Sequence, residues 1–104
     1  MIKKDHLYFM RRAIKLSLKA RGNTSPNPMV GALVVKNNKI ISEGFHEKAG
    51  LPHAEVIALD KAGPKAKGAR LYITLEPCAH FGRTPPSVDK IIRSGIKELY
   101  IGII

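Results

Sequence analysis

His53 and Glu55 stand two residues apart and are followed by Pro77-Cys78, so an imidazole, a carboxylate and the chain's single thiol occur in one short stretch. Zinc takes neutral nitrogen and thiolate ligands from separate elements, and a catalytic zinc keeps one position for water. His53 and Cys78 are of the right types to hold such an ion. Glu55, close to His53 in sequence, can approach the water without ligating the metal and carry its proton. Taken singly, each residue has a plainer role. A lone histidine is usually a surface or core residue, a lone cysteine a small apolar filler, and a glutamate in a first helical turn complements the helix dipole. Their occurrence together favours a site.

The pattern H-x-E…P-C-x-x-C marks zinc nucleobase deaminases, and the chain departs from it, because Phe81 stands three residues after Cys78. The run onward is Thr74-Leu75-Glu76-Pro77-Cys78-Ala79-His80-Phe81-Gly82-Arg83-Thr84-Pro85-Pro86-Ser87. It resembles the deaminase domain of the bifunctional riboflavin-biosynthesis deaminase/reductase family, in which the run reads TLEPCxHxGRTPPC. Upstream, Ser25-Pro26-Asn27-Pro28-Met29-Val30-Gly31, Gly44-Phe45-His46 and Gly50-Leu51-Pro52-His53-Ala54-Glu55 are similar to the same family. The resemblance covers nearly the whole chain from the first helix onward.

That resemblance implies a cytidine-deaminase-like fold, a zinc cofactor and hydrolytic deamination of a diaminohydroxyphosphoribosylaminopyrimidine. It implies His53 and Cys78 as metal ligands and Glu55 as the proton shuttle. Asn27 is similar to a residue that contacts the pyrimidine, His46 to a substrate-contacting residue, and His80 and Arg83 to residues near the phosphorylated end. Asn27, His46 and Arg83 have ordinary alternatives, as a turn former, a strand-end histidine and a solvated loop charge. Ser87 stands where the family's second cysteine ligand stands. A neutral hydroxyl is a poor zinc ligand, so metal affinity should fall. Three explanations stay open: an introduced substitution, a site completed by water or by His80, and a domain that has lost deamination.

These residues need a scaffold. Asp5 is placed to cap a helix running to about Ala20, with Leu7, Met10, Ile14 and Leu18 as its apolar stripe and Gly22 as its end. The prolines of the following stretch predict a loop. Met29 to Val35 and Ile40 to Gly44 read as strands joined at Asn37-Asn38, a β-hairpin. His53 to Ala62 predicts a helix broken by Gly63-Pro64, and Leu71 to Leu75 an apolar strand. Pro85-Pro86 opens a helix with Val88, Ile91 and Ile92 on its buried side and Gly95 at its end, before a buried strand over Leu99 to Ile104. The order α-β-β-α-β-α-β, with helices between strands, predicts parallel pairing and a three-layer α/β/α sheet. Because the family continues through a further helix and strand into a reductase domain, the resemblance also suggests a C-terminal truncation or an element supplied by a partner.

At 104 residues the expectation is one domain, 1–104, without a reductase domain. No apolar run approaches the roughly 18–20 residues of a membrane span, and the charged N-terminus does not read as a signal peptide. One cysteine allows no intrachain disulfide, and together these favour a reducing cytoplasm. The net charge of +10 would draw in a phosphorylated substrate. It also raises a nucleic-acid base deaminase as an alternative. The basic residues are dispersed, lack aromatic interleaving, and the family-like spacing differs from the short C-x-x-C of that branch, all of which argue against it. A further alternative is a catalytically silent binding or assembly module; a homo-oligomer fits either reading.

Overall fold

Asn37 and Asn38 both adopt left-handed backbone, with φ of 54° and 59°. A two-residue hairpin turn of type I′ demands that conformation, and asparagine tolerates it. The turn joins strand β1 (Gly31–Lys36) to β2 (Lys39–Phe45). The computed structural model describes residues 4–18, 30–45, 53–75 and 88–103. Around the hairpin stand helix α1 (His6–Ser17), helix α2 (Ala54–Ala62), strand β3 (Arg70–Leu75), helix α3 (Val88–Arg93) and strand β4 (Glu98–Ile103). The element order is the one expected.

The sheet order is β2-β1-β3-β4. β3 and β4, joined through α3, pair in parallel with Arg70 opposite Glu98 and Thr74 opposite Gly102. β2 and β3, joined through α2, run in the same direction without pairing. The short turn claims one edge of β1 for β2, and its other edge pairs antiparallel with β3, Ala32 opposite Ile73. The expectation of parallel pairing thus holds for one helical crossover and is corrected for the other.

Strand alternation divides the core in two. Leu33, Val35 and Tyr72 face α1, packing on Phe9, Ala13 and Leu16. Ala32, Val34, Leu71 and Ile73 face the other way, onto Ala54, Ala58, Leu59 and Ala62 of α2 and Ile91 of α3. Helices therefore cover both faces of the sheet, the three-layer arrangement.

Several expected details are corrected. Asp5 caps α1 by accepting from the Tyr8 amide at 3.0 Å, but the described helix ends at Ser17. Its buried line runs through Phe9, Ala13 and Leu16, while Leu7 and Leu18 are exposed. The small Ala13 explains the choice: α1 lies so near β1 that a Cβ on Gly31 would stand 2.1 Å from the Ala13 carbonyl oxygen. In α3, Ile91 is buried but Ile92 is 68% exposed, because only one side of this short helix meets the sheet. β4 is an edge strand among the described residues, with Leu99 and Ile101 exposed, so it is not the buried strand expected. Gly63-Pro64 does stop α2, and the chain continues as a 3₁₀ turn over Gly63–Ala66.

The register also defines one end of the sheet. Gly31 opens β1 opposite Phe45, and the Gly31 amide donates to Thr74 Oγ1 at 3.0 Å. The start of β1 and the carboxyl ends of β2, β3 and β4 share that end.

Candidate active site

Helix α2 begins at that same end of the sheet. His53 occupies its N-cap position in extended backbone, φ −68° and ψ 155°, and its carbonyl accepts from the Ile57 amide at 3.1 Å. The next turn carries Glu55, whose negative charge suits the positive end of the helix. Glu55 is only 2% exposed. Its Oε2 lies 3.6 Å from Nδ1 of His53, just beyond ordinary hydrogen-bond length. The His53 side chain is partly exposed, so the pair joins a buried carboxylate to an imidazole that solvent or a ligand can reach.

Two residues of β2 fix where this turn sits. A Cβ on Gly44 would stand 2.5 Å from the Ala54 carbonyl oxygen and 2.9 Å from the Ala58 nitrogen, so only glycine lets the helix approach this closely. Two residues earlier, Ser42 Oγ donates to the Ala58 carbonyl at 2.5 Å in a buried hydrogen bond. Sequence reasoning assigned Ser42 no role. A serine in a strand gives no signal until the strand's partner layer is known, and Gly44 reads only as a strand end and as part of a matching string.

The structure brings His53 and Glu55 together. Asn27, His46, Cys78, His80, Arg83 and Ser87 lie outside the described residues. The sequence nonetheless ties them to ends of described elements: His46 follows Phe45 of β2, Cys78 comes three residues after Leu75 of β3, and Ser87 immediately precedes α3. Among the described residues no three metal-capable side chains converge. The donor chemistry of the His53–Glu55 pair, one neutral nitrogen beside one acid–base carboxylate, fits a zinc-and-water centre.

Shifted titrations lie elsewhere: Glu43 of β2 raises the pKa of Arg12 in α1, and a second group lies where β3 and β4 face α1. Arg70 Nε donates to Glu98 Oε1 at 2.9 Å, which holds the Glu98 carboxyl below the ordinary glutamate range and the guanidinium above its own. Burial pushes the Tyr72 phenol upward, and its hydroxyl lies 2.7 Å from Nδ1 of His6. The Tyr100 phenol is also raised, first by desolvation and then by Glu98. Tyr72 and Tyr100 stack at 5.0 Å, which ties the edge strand to its neighbour.

A three-layer sheet carrying a His-x-Glu turn at the start of a helix defines a cytidine-deaminase-like protein. The profile of the cytidine and deoxycytidylate deaminase zinc-binding region matches residues 3–103, and the chain belongs to that family. Within it, the sequence groups with the deaminase region of the riboflavin-biosynthesis deaminase/reductases. It is 60% identical over 101 residues to riboflavin biosynthesis protein RibD of Aquifex aeolicus, covering 97% of this chain and 28% of that one. Against the diaminohydroxyphosphoribosylamino-pyrimidine deaminase of Buchnera aphidicola from Schizaphis graminum, identity is 59% over 98 residues, covering 94% and 66%. The solved structure of Acinetobacter baumannii RibD superposes with a TM-score of 0.81 at 49% identity, covering 92% of this chain and 27% of that one. The chain thus spans little more than a quarter of the RibD proteins it matches.

Proposed function

We propose that this chain forms the deaminase unit of a riboflavin-biosynthesis enzyme, removing a ring amino group from a diaminohydroxyphosphoribosylaminopyrimidine by hydrolysis. The observation that carries the reading is the buried Glu55 carboxylate 3.6 Å from the His53 imidazole at the N-terminus of α2. Its setting in the zinc-binding deaminase family supports it. His53 and Cys78 would hold zinc, with Ser87 at the position of a further ligand. Zinc, when bound, would supply a positive centre that lowers the pKa of a water toward neutrality. Glu55 accepts the proton lost by the attacking water and returns it to the departing amino group, which leaves as ammonia. Burial holds that carboxylate in one place. Asn27 would bind the pyrimidine, His46 would contact the substrate, and His80 and Arg83 would meet the phosphorylated end, aided by the positive charge of the chain.

Ser87 favours a second reading, a deaminase-fold module that binds or assembles without turnover, because a hydroxyl replaces a thiolate. Among the described residues no helix is long and apolar enough to cross a membrane. The single cysteine supports a cytoplasmic setting, and a homo-oligomer is compatible with either reading. The test is zinc stoichiometry of the purified chain, followed by ammonia release from the phosphorylated pyrimidine and from oligonucleotides. Bound zinc with release from the pyrimidine alone is the expected result. Release from oligonucleotides alone overturns the substrate, and zinc without release selects the silent module.

A further inference from the structure

Ser42 and Ala58 are joined across two layers of the fold. The hydroxyl of a buried strand residue donates to a carbonyl of α2, at 2.5 Å. A buried serine can satisfy its hydroxyl on its own strand or turn; this one reaches a different element, sixteen residues away. The β1–β2 ladder explains the aim. Val34 pairs with Ser42 and Val35 with Ile40, so Ile41 is an extra residue in a bulge directly before Ser42. Bulges bend a strand and re-aim its side chains. Beyond it, Ser42 and Gly44 stand opposite Val34 and Ala32, which face α2.

The two residues contact the helix differently. Gly44 sets its depth, since a Cβ there would collide with the Ala54 carbonyl and the Ala58 amide. Ser42 grips one carbonyl and so resists rotation or sliding of the helix along the sheet. Ala58 is three residues from Glu55, on the same helical face, and both are buried. A small rotation of α2 would therefore carry the Glu55 carboxylate, with the turn that bears it, away from its place at this end of the sheet.

We propose that Ser42 is a positioning residue for Glu55, acting through its hydrogen bond to the Ala58 carbonyl. The proposal rests on the reading of Glu55 as the proton shuttle. It predicts that the hydroxyl matters to the chemical step more than to substrate binding, because the substrate is held by other residues.

Ser42→Ala, Ser42→Thr and Ser42→Val in the full chain separate the hydroxyl from the volume of the side chain. Ser42→Ala should lower kcat for ammonia release about tenfold, short of the ~10²-fold that a 1 Å misplacement can cause, with KM little changed. Ser42→Thr should recover turnover and Ser42→Val should not. Parental kcat in Ser42→Ala, or equal recovery by threonine and valine, would overturn the proposal. If the chain turns over too slowly, the series is repeated in the Ser87→Cys background. Should zinc bind there without ammonia release, the deaminase reading fails and the catalytic part of the proposal with it, and metal-free protein then decides only whether Ser42 places α2. The ¹H–¹⁵N amide signals of Ala54 to Ala58 should shift in Ser42→Ala while those of α1 hold still; unmoved α2 signals would dismiss it. Gly44→Ala, which pushes the same turn outward, should move the same amides and serves if a Ser42 variant does not fold.

Discussion

Nδ1 of His53 and Oε2 of Glu55 lie 3.6 Å apart although the imidazole is partly exposed and the carboxylate is buried. The two belong to one turn of chain, the cap and second residue of α2, so their relation depends on the backbone of that turn and on what presses against it. Gly44 and Ser42 supply that pressure.

Replacing Glu55 by glutamine should reduce ammonia release by roughly 10²–10⁴-fold, the usual contribution of a general acid–base group. Zinc content and circular dichroism should stay close to those of the parent, since the carboxylate is assigned to the proton and not to the ion. Turnover largely retained in the glutamine variant would remove Glu55 from the mechanism. Loss of zinc together with turnover would recast it as a ligand.

The sequence made the element order legible because each strand and helix carries its own local signal, as with Asn37-Asn38 at the hairpin and Gly63-Pro64 after α2. The faces were less legible. Leu7, Met10, Ile14 and Leu18 form as good an apolar line as Phe9, Ala13 and Leu16; what chooses between them is the fit of Ala13 against Gly31, a tertiary contact. The placement of β1 between β2 and β3 is likewise a property of the whole sheet. His53 and Glu55 were legible from spacing and string similarity. Ser42 was not, since its partner Ala58 is a backbone carbonyl that any residue would supply.

Ser87→Cys should raise zinc occupancy at matched pH and total zinc, because a thiolate binds zinc far more strongly than a neutral hydroxyl. Metal analysis after gel filtration reads this directly. Deaminase activity should rise with occupancy if the substrate groups are otherwise in place. Equal zinc content in the two proteins would show that position 87 is not part of the ligand set.

Gly31→Ala should destabilise the fold by about 1–3 kcal/mol, as overpacking does in a tight core. The added methyl meets the Ala13 carbonyl oxygen at 2.1 Å and the Ser17 nitrogen at 2.9 Å, both backbone atoms that no rotamer change can move aside. Relief requires lifting α1 off the sheet, which would expose Phe9 and Leu16 and strain the Gly31 amide's bond to Thr74. Urea denaturation gives the measurement. A midpoint equal to the parent's would mean that α1 does not sit against β1 as described.

The Arg70–Glu98 pair should make a small, pH-dependent contribution whose sign follows from its geometry. Arg70 Nε donates to Glu98 Oε1 at 2.9 Å and depresses the glutamate's pKa in the folded state, with Tyr100 adding to the effect. In the window between the folded and unfolded values the unfolded chain binds more protons, so stability rises with pH there. The contribution is complete above the ordinary glutamate value of about 4.3 and disappears as pH falls through the lower folded value. Both side chains are substantially exposed, which keeps the effect small and sensitive to salt. Thermal melts of the parent and of Glu98→Gln should therefore differ slightly at neutral pH and low ionic strength, with the parent higher. The gap should close in acid, and also at neutral pH when salt is added. A gap that persists unchanged in acid would assign the difference to packing of the Glu98 side chain and not to its charge.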